Sequence, residues 1–257
     1  MIHDTRLKGR ASPKGSSERL AKAAEAQGWS RLLGGTGLSI SALGFGTYRV
    51  EEGEKEHIDA LRRALVHGGV NLIDTSCNYG AGGAERALGR VLHELVEEGA
   101  LARDEVVIVS KTGYIQGERL AELKLEEEIG PLEGRVARVG ADHWHSISPV
   151  YIDGSIDASL KRLGVETIDL LLLHNPEYLI DPGPPEAAQR PLHQRESDFY
   201  AELVESFRCL EAAVQDGRIA FYGMSSNAFV APPSSERCVK LERVMEAALE
   251  AGGNAHH

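Results

Sequence analysis

Short apolar runs alternate regularly with segments of helical periodicity along this chain, and few folds accommodate that order. The five apolar runs occupy residues 43–47, 70–73, 106–109, 168–173 and 219–223. Such alternation is typical of βα units, in which helices cover a parallel sheet. The pattern therefore predicts an α/β fold with five parallel strands.

The segments between the runs carry the apolar stripe of amphipathic helices. Ile58, Leu61 and Leu65, for example, fall at i, i+3 and i+7, and Gly68 follows them as a helix stop. Helices are predicted over or around residues 55–67, 88–95, 120–129, 156–163, 199–214 and 235–250.

Composition narrows the class of protein. The 257 residues include 39 acidic and 28 basic side chains, and this balance disfavours a protein that neutralises nucleic-acid phosphates. No apolar run approaches the roughly 20 residues that span a bilayer, and residues 1–27 lack the apolar stretch of a secretory signal. The three cysteines form no CxxC pair, which disfavours a disulfide scaffold. We therefore expect a cytoplasmic protein that binds neither nucleic acid nor membrane.

Ionisable residues follow three of the predicted strands. Asp74 ends the second strand, and Tyr79 comes five residues later. Lys111 follows the third strand and His174 the fourth, while residues 225–227, Ser-Ser-Asn, follow the fifth. In a (β/α)8 barrel the loops at the carboxyl ends of the strands converge over one mouth. We expect these side chains to share one rim.

This set suits proton transfer to a carbonyl group. A free tyrosine has a pKa near 10, which is too high for efficient acid catalysis at pH 7 unless a cation lies beside it. Lys111 can supply that charge, and Asp74 can hold Lys111 in place. His174 can donate a hydrogen bond to a substrate carbonyl. The residues therefore predict a site that prepares a carbonyl to accept hydride.

The motifs around these residues resemble those of the aldo-keto reductase family. The matching segments are LGGTGL at 33–38, LGFGT at 43–47, NLIDTS at 71–76 with YG at 79–80 and Glu85, VSK at 109–111, DLLLLHNP at 169–176, and GRI at 217–219 with YGMS at 222–225. The resemblance covers about residues 30–250. It implies a TIM (β/α)8 barrel of aldo-keto reductase type, and an NAD(P)H-dependent oxidoreductase that acts on a small carbonyl or alcohol.

The resemblance also implies roles by position. The family's catalytic tetrad matches Asp74, Tyr79, Lys111 and His174, with Tyr79 as general acid in reduction and general base in oxidation. Cofactor contacts are implied for Gly46, Thr47, Tyr48, Asp74, Ser225, Ser226 and Asn227. Ser225 matches the serine that binds the nicotinamide carboxamide, and the role of the family's next asparagine falls to Ser226 or Asn227. The resemblance favours NADPH over NADH.

The length fits only part of such a barrel. Eight βα units need about 250 residues, whereas five units already reach residue 223 and leave 257 − 223 = 34 residues. We expect an amino-terminal extension at 1–29 and an incomplete barrel domain at 30–257 that lacks strands six to eight. Such a fragment is expected to be inactive alone.

Other interpretations stay open. Lys111 could form a Schiff base, as in a barrel lyase, or the chain could be a non-catalytic regulatory or binding protein on the same scaffold. His143 and His145 have H-x-H spacing, but they lie in an aperiodic segment and we expect no metal there. The aperiodic segments 114–152 and 175–196 are predicted to be loops that shape a substrate pocket.

Overall fold

All five predicted strands are present in the computed structural model, which describes residues 6–22, 29–125, 132, 135–180 and 190–253. In chain order the helices are α1 Pro13–Lys22, α2 Lys55–Val66, α3 Gly83–Glu97, α4 Gly117–Leu125, α5 Pro149–Leu163, α6 Leu192–Gln215 and α7 Leu241–Gly252. The strands are β1 Ser30–Leu32, β2 Ser39–Ser41, β3 Phe45–Gly46, β4 Leu72–Asp74, β5 Val107–Thr112, β6 Tyr114–Ile115, β7 Ala137–Gly140, β8 His143–His145, β9 Ile168–His174 and β10 Ile219–Ser225.

The five predicted strands form one sheet in the order β10–β9–β5–β4–β3. β3 runs parallel to β4, with Gly46 opposite Asp74, and β4 runs parallel to β5, with Asp74 opposite Val109. All six residues of β5 are buried, as expected for a strand that other elements cover on both faces. The α/β prediction and the parallel sheet are confirmed.

The described residues fall into two units. The first holds those within Met1–Ser110, Asp157–Leu171 and Gly217–Phe221, and the second holds those within Lys111–Ile156, Leu172–Asp216 and Tyr222–His257. Helix α1, from the predicted extension at 1–29, belongs to the first unit. The division of the chain at residue 29/30 stays a prediction.

In the first unit, β1 and β2 pair as an antiparallel hairpin. Residues of this hairpin pack into an apolar cluster with residues of the parallel sheet. Leu33 and Ile40, beside and within the hairpin, pack with Leu38, Leu72 and Val107 in that cluster. The hairpin was not predicted because its strands are only three residues long and β1 is exposed throughout, so neither gives an apolar run. It nevertheless supplies apolar side chains to the core of this unit.

In the second unit, β6, β8 and β7 form a separate antiparallel sheet. Tyr114 lies opposite His145, and Ile115 lies opposite Trp144. A core of Ile115, Leu120, Leu123 and Leu132 packs nearby. The prediction of a loop over 114–152 is therefore wrong for the strand residues: these strands are too short and too polar to give an apolar run.

Two predicted helices differ in their bounds. α6 begins at Leu192, earlier than predicted, whereas α7 begins at Leu241, later than predicted. The delay has a local cause, since the Cys238 amide donates to the Ser235 carbonyl in a turn and Lys240 is extended. Residues 126–130 and 181–189, within two other predicted segments, lie outside the described residues.

No helix in the described part of the chain is long and apolar enough to cross a membrane.

Candidate active site

In the first unit, Asp74 and the end of β3 are held together by the backbone. The Thr47 amide donates to the Asp74 carbonyl at 2.9 Å, and the Thr47 hydroxyl donates to the same oxygen at 3.1 Å. Thr47 is fully buried, and Gly46 pairs with Asp74 across the strands. Three of the predicted site residues are thus brought together by strand pairing.

Tyr79 stands at the start of a tight turn in the same unit. The 3₁₀ turn Tyr79–Gly82 places Gly80 and Ala81 in the left-handed region, at φ 55° and 51°. The Tyr79 ring lies edge-on to the ring of Tyr48, with centroids 5.1 Å apart. The two predicted tyrosines therefore lie side by side, and Tyr48 is 65% exposed.

In the second unit, Lys111 and His174 occupy the carboxyl-terminal parts of β5 and β9. Lys111 is buried, at 5% exposure. Burial, with a smaller contribution from the positive charge of Lys111, lowers the pKa of His174 to about 4. His174 is therefore neutral at pH 7, and a neutral imidazole carries one ring N–H.

A cluster of aromatic rings lies beside His174 and contacts it through Tyr114. Tyr114 lies edge-on to it, with centroids 4.8 Å apart, and is stacked on His143 at 4.9 Å. Tyr178 contacts Tyr114, His143 and His145 edge-on or tilted. Burial raises the pKa of Tyr114 and so keeps its hydroxyl protonated. We call Tyr114, His143, His145, His174 and Tyr178 the ring cluster.

The residues after β9 and β10 bind each other in the second unit. The Asn175 amide donates to the Ser225 carbonyl at 2.6 Å. The buried carboxylate of Glu177 accepts the Ser226 hydroxyl at 2.8 Å and the Asn227 amide at 3.1 Å. Ser226 also accepts from the Ala228 amide and caps the short turn Asn227–Val230. Ser225, Ser226 and Asn227 are therefore held in one fixed turn.

The predicted site residues thus form two groups. Gly46, Thr47, Tyr48, Asp74 and Tyr79 belong to the first unit, and Lys111, His174, Ser225, Ser226 and Asn227 belong to the second. Their catalytic and cofactor roles stay predictions.

Sequence reasoning missed most of the ring cluster. Tyr114 and Tyr178 each come five residues after an apolar run, but the sequence gives no sign that they pack together. The pairing of β6 with β8 brings Tyr114 to His145. The H-x-H spacing was a usable signal, since residues i and i+2 of a strand point to the same face. In the residues that the structure describes, no three His, Cys, Asp or Glu side chains are grouped as metal ligands. His143 and His145 instead contact aromatic rings.

Comparison with known proteins identifies relatives. The sequence profile of the aldo/keto reductase family matches residues 42–232. The chain is 29% identical, over 149 residues, to the NADH-specific methylglyoxal reductase of Escherichia coli K12, covering 55% of this chain and 40% of that protein. It is 28% identical, over 198 residues, to a putative voltage-gated potassium channel subunit beta of Schizosaccharomyces pombe, covering 76% of this chain and 44% of that protein.

A solved structure gives the same picture. The holo form of the aldo-keto reductase AKR11C1 from Bacillus halodurans resembles this chain with a TM-score of 0.51 and 25% identity, over 77% of this chain and 50% of that one. With the parallel sheet, this likeness indicates an α/β fold of TIM-barrel type. The chain spans half or less of the length of each of these three proteins.

Proposed function

Because the chain belongs to the aldo/keto reductase family, we propose that it carries the catalytic residues of an NAD(P)H-dependent oxidoreductase. The reaction interconverts a small aldehyde or ketone with the corresponding alcohol. The tetrad is Asp74, Tyr79, Lys111 and His174.

The observation that carries this proposal is the state of His174. A half-buried imidazole beside the buried Lys111 is held neutral, with its pKa lowered to about 4. A neutral ring donates one hydrogen bond without itself giving up a proton, so His174 orients the substrate carbonyl while another group supplies the proton. Neutral donors placed where charge develops stabilise a transition state at little cost in reorganisation.

Tyr79 is the proton donor in this proposal. A nicotinamide held by the assigned cofactor residues would supply the hydride that the carbonyl carbon accepts. The Tyr79 O–H bond breaks as its proton passes to the carbonyl oxygen, which becomes the alcohol hydroxyl. We assign Lys111 the role of stabilising the phenolate that remains and Asp74 the role of keeping Lys111 protonated, and solvent returns a proton to Tyr79. In the oxidation direction the phenolate accepts the alcohol proton.

The residues at the end of β3 fit a bound dinucleotide. A methyl group added at Gly46 would meet no atom within 4 Å, so the backbone there is open to the close approach of a ligand. We assign Gly46, Thr47, Tyr48, Asp74, Ser225, Ser226 and Asn227 as cofactor contacts. NADPH is the proposed cofactor, although one relative is named as NADH-specific.

The Gly46→Ala substitution tests the cofactor assignment. The new methyl group occupies the approach space without a clash inside the protein, so we expect an unchanged melting temperature and at least a tenfold weaker Kd for NADPH. Fluorescence titration with NADPH and with NADH measures both affinities. Gly53→Ala is the matched control, because a methyl at Gly53 also meets no atom within 4 Å and Gly53 belongs to no proposed contact. Equal NADPH binding by both variants would contradict the assignment.

A second candidate function is supported by the likeness to a channel subunit. On this alternative the chain belongs to a protein that binds the dinucleotide and serves as a stable subunit of a larger assembly. Isolation of a stoichiometric complex, with no oxidation of NADPH across a panel of aldehydes, ketones and sugars, would favour the alternative over the reductase.

A further inference from the structure

His145 reaches the backbone at the point where His174 ends its strand. Its ring is fully buried, and Nε2 lies 2.7 Å from the carbonyl oxygen of His174. A carbonyl oxygen can only accept a hydrogen bond, so Nε2 must carry the proton. Nδ1 is then a bare acceptor, and it has no hydrogen-bond partner among the described residues. Among the described residues, the hydrogen bond to the His174 carbonyl is therefore the one that holds this ring.

Gly113 leaves the space for that contact. A methyl group at Gly113 would lie 2.5 Å from Nε2 of His145 and 3.2 Å from the His174 carbonyl oxygen. The Gly113 φ of +137° also favours glycine. The Ser146 amide donates to the Gly113 carbonyl at 2.9 Å, which fixes the end of β8 beside this gap. The missing side chain at Gly113 and the hydrogen bond from Ser146 thus allow His145 to reach the His174 carbonyl.

The peptide group between His174 and Asn175, whose carbonyl accepts from His145, is also held through its N–H. The peptide joining His174 to Asn175 directs its N–H to the Ser225 carbonyl at 2.6 Å. Asn175 then adopts φ 50°, in the left-handed region that asparagine occupies more readily than most residues other than glycine. Its side-chain amide donates to the Tyr114 hydroxyl at 2.7 Å. The bonds from His145 to the His174 carbonyl and from the Asn175 amide to Ser225 therefore fix the peptide plane that follows His174.

We propose that His145 is a positioning residue for the reaction: by holding the His174 carbonyl, it sets the direction of the His174 ring. The proposal rests on the catalytic role assigned to His174 above. His145 itself touches neither substrate nor cofactor. The tilt of the peptide plane controls the ψ angle of His174, and thus where its Cβ and ring point.

Three variants separate positioning from simple packing. His145→Gln places an amide N–H where Nε2 stands and keeps a donor for the carbonyl. His145→Leu keeps a similar volume and removes the donor. Gly113→Ala keeps His145 but blocks its approach. We expect the leucine and alanine variants to lower kcat at least tenfold with little change in the KM for NADPH, and the glutamine variant to stay within about threefold of wild type.

An independent measurement follows the rings directly. ¹⁵N-edited NMR of the histidine rings reports the tautomer of His145 and the titration of His174. The groups that face His174 are Lys111 on β5, Tyr114 on β6 and the neutral His145 on β8. In wild type and His145→Gln we expect His174 to titrate near pH 4. In His145→Leu we expect its pKa to rise toward its ordinary value of 6.5, because the released ring gains solvent.

The outcomes distinguish this inference from the proposed function. An Nδ1–H tautomer for His145, or an unchanged His174 titration in His145→Leu, would overturn the positioning role whatever the turnover. A shifted titration with unchanged kcat would support the positioning of the ring and overturn the catalytic role of His174. Loss of kcat in His145→Leu with rescue in His145→Gln supports both.

Discussion

At the scale of single residues, burial determines the charge of two histidines in the second unit. Burial lowers the pKa of His145 to about 3, and burial with the Lys111 charge lowers that of His174 to about 4. Both values lie below the 6.5 of an ordinary histidine. Neutral rings can donate to a carbonyl and pack against Tyr114 and Tyr178, which a charged ring in this setting would do only at a large desolvation cost.

These pKa values predict how stability depends on pH. In the unfolded chain both histidines become protonated near pH 6.5. In the folded chain His145 becomes protonated only near pH 3 and His174 only near pH 4. The histidine contribution to stability is therefore complete above about pH 6.5 and is lost as the pH falls toward 4. Each such group adds up to about 1.4 kcal/mol per pH unit to the slope.

Urea unfolding between pH 7 and pH 4.5 measures this slope. His145→Gln removes one of the two groups, so its unfolding free energy should fall less steeply with decreasing pH than that of the wild type. Parallel curves for the two proteins would show that His145 is not held neutral by folding.

At the scale of elements, one buried carboxylate ties three segments of the first unit. Asp169 on β9 accepts from the Ile108 amide of β5 at 2.7 Å and from the Ala11 amide at 2.7 Å. Arg103 donates to it at 2.8 Å, with both side chains at most 5% exposed. A buried ion pair of this kind is tolerated because further hydrogen bonds satisfy the carboxylate.

Removal of the Asp169 carboxylate should lower the free energy of unfolding substantially. Asp169→Ala leaves the Arg103 charge and two amides without their acceptor in the core, and we expect a loss of about 3–5 kcal/mol in unfolding free energy. The control is Asp157→Ala, since Asp157 pairs with Arg218 at 3.1 Å but is 66% exposed; its loss should be about 0–1 kcal/mol. Urea denaturation of both variants gives the comparison, and equal losses would refute the assigned role of Asp169.

The elements also show what the sequence could predict. The strands of the main sheet were predictable because residues such as Val107 and Ile108 are buried and must be apolar. Asp74, Lys111 and His174 were identifiable because they end those runs. The sheet β6–β8–β7 was not predictable, since its strands have two to four residues and hold polar side chains such as His143 and His145. Its pairing depends on tertiary contacts rather than on local pattern.

At the scale of the whole molecule, the family membership of the chain and its candidate site residues support the proposed oxidoreductase activity. The profile match spans residues 42–232, which include every proposed catalytic and cofactor residue. The chain spans half or less of the length of the relatives described above. The turnover of each variant should be compared with that of a matched control.

The most direct test is carbonyl-dependent oxidation of NADPH by Tyr79→Phe. Loss of a single hydroxyl removes the proposed proton donor but keeps the ring, so kcat should fall about 100- to 10,000-fold. Tyr200→Phe is the control: Tyr200 lies on α6, accepts from the Lys240 amide and has no proposed role in the site, so its kcat should match the wild type. A Tyr79→Phe protein that oxidises NADPH at a near wild-type rate would contradict the account.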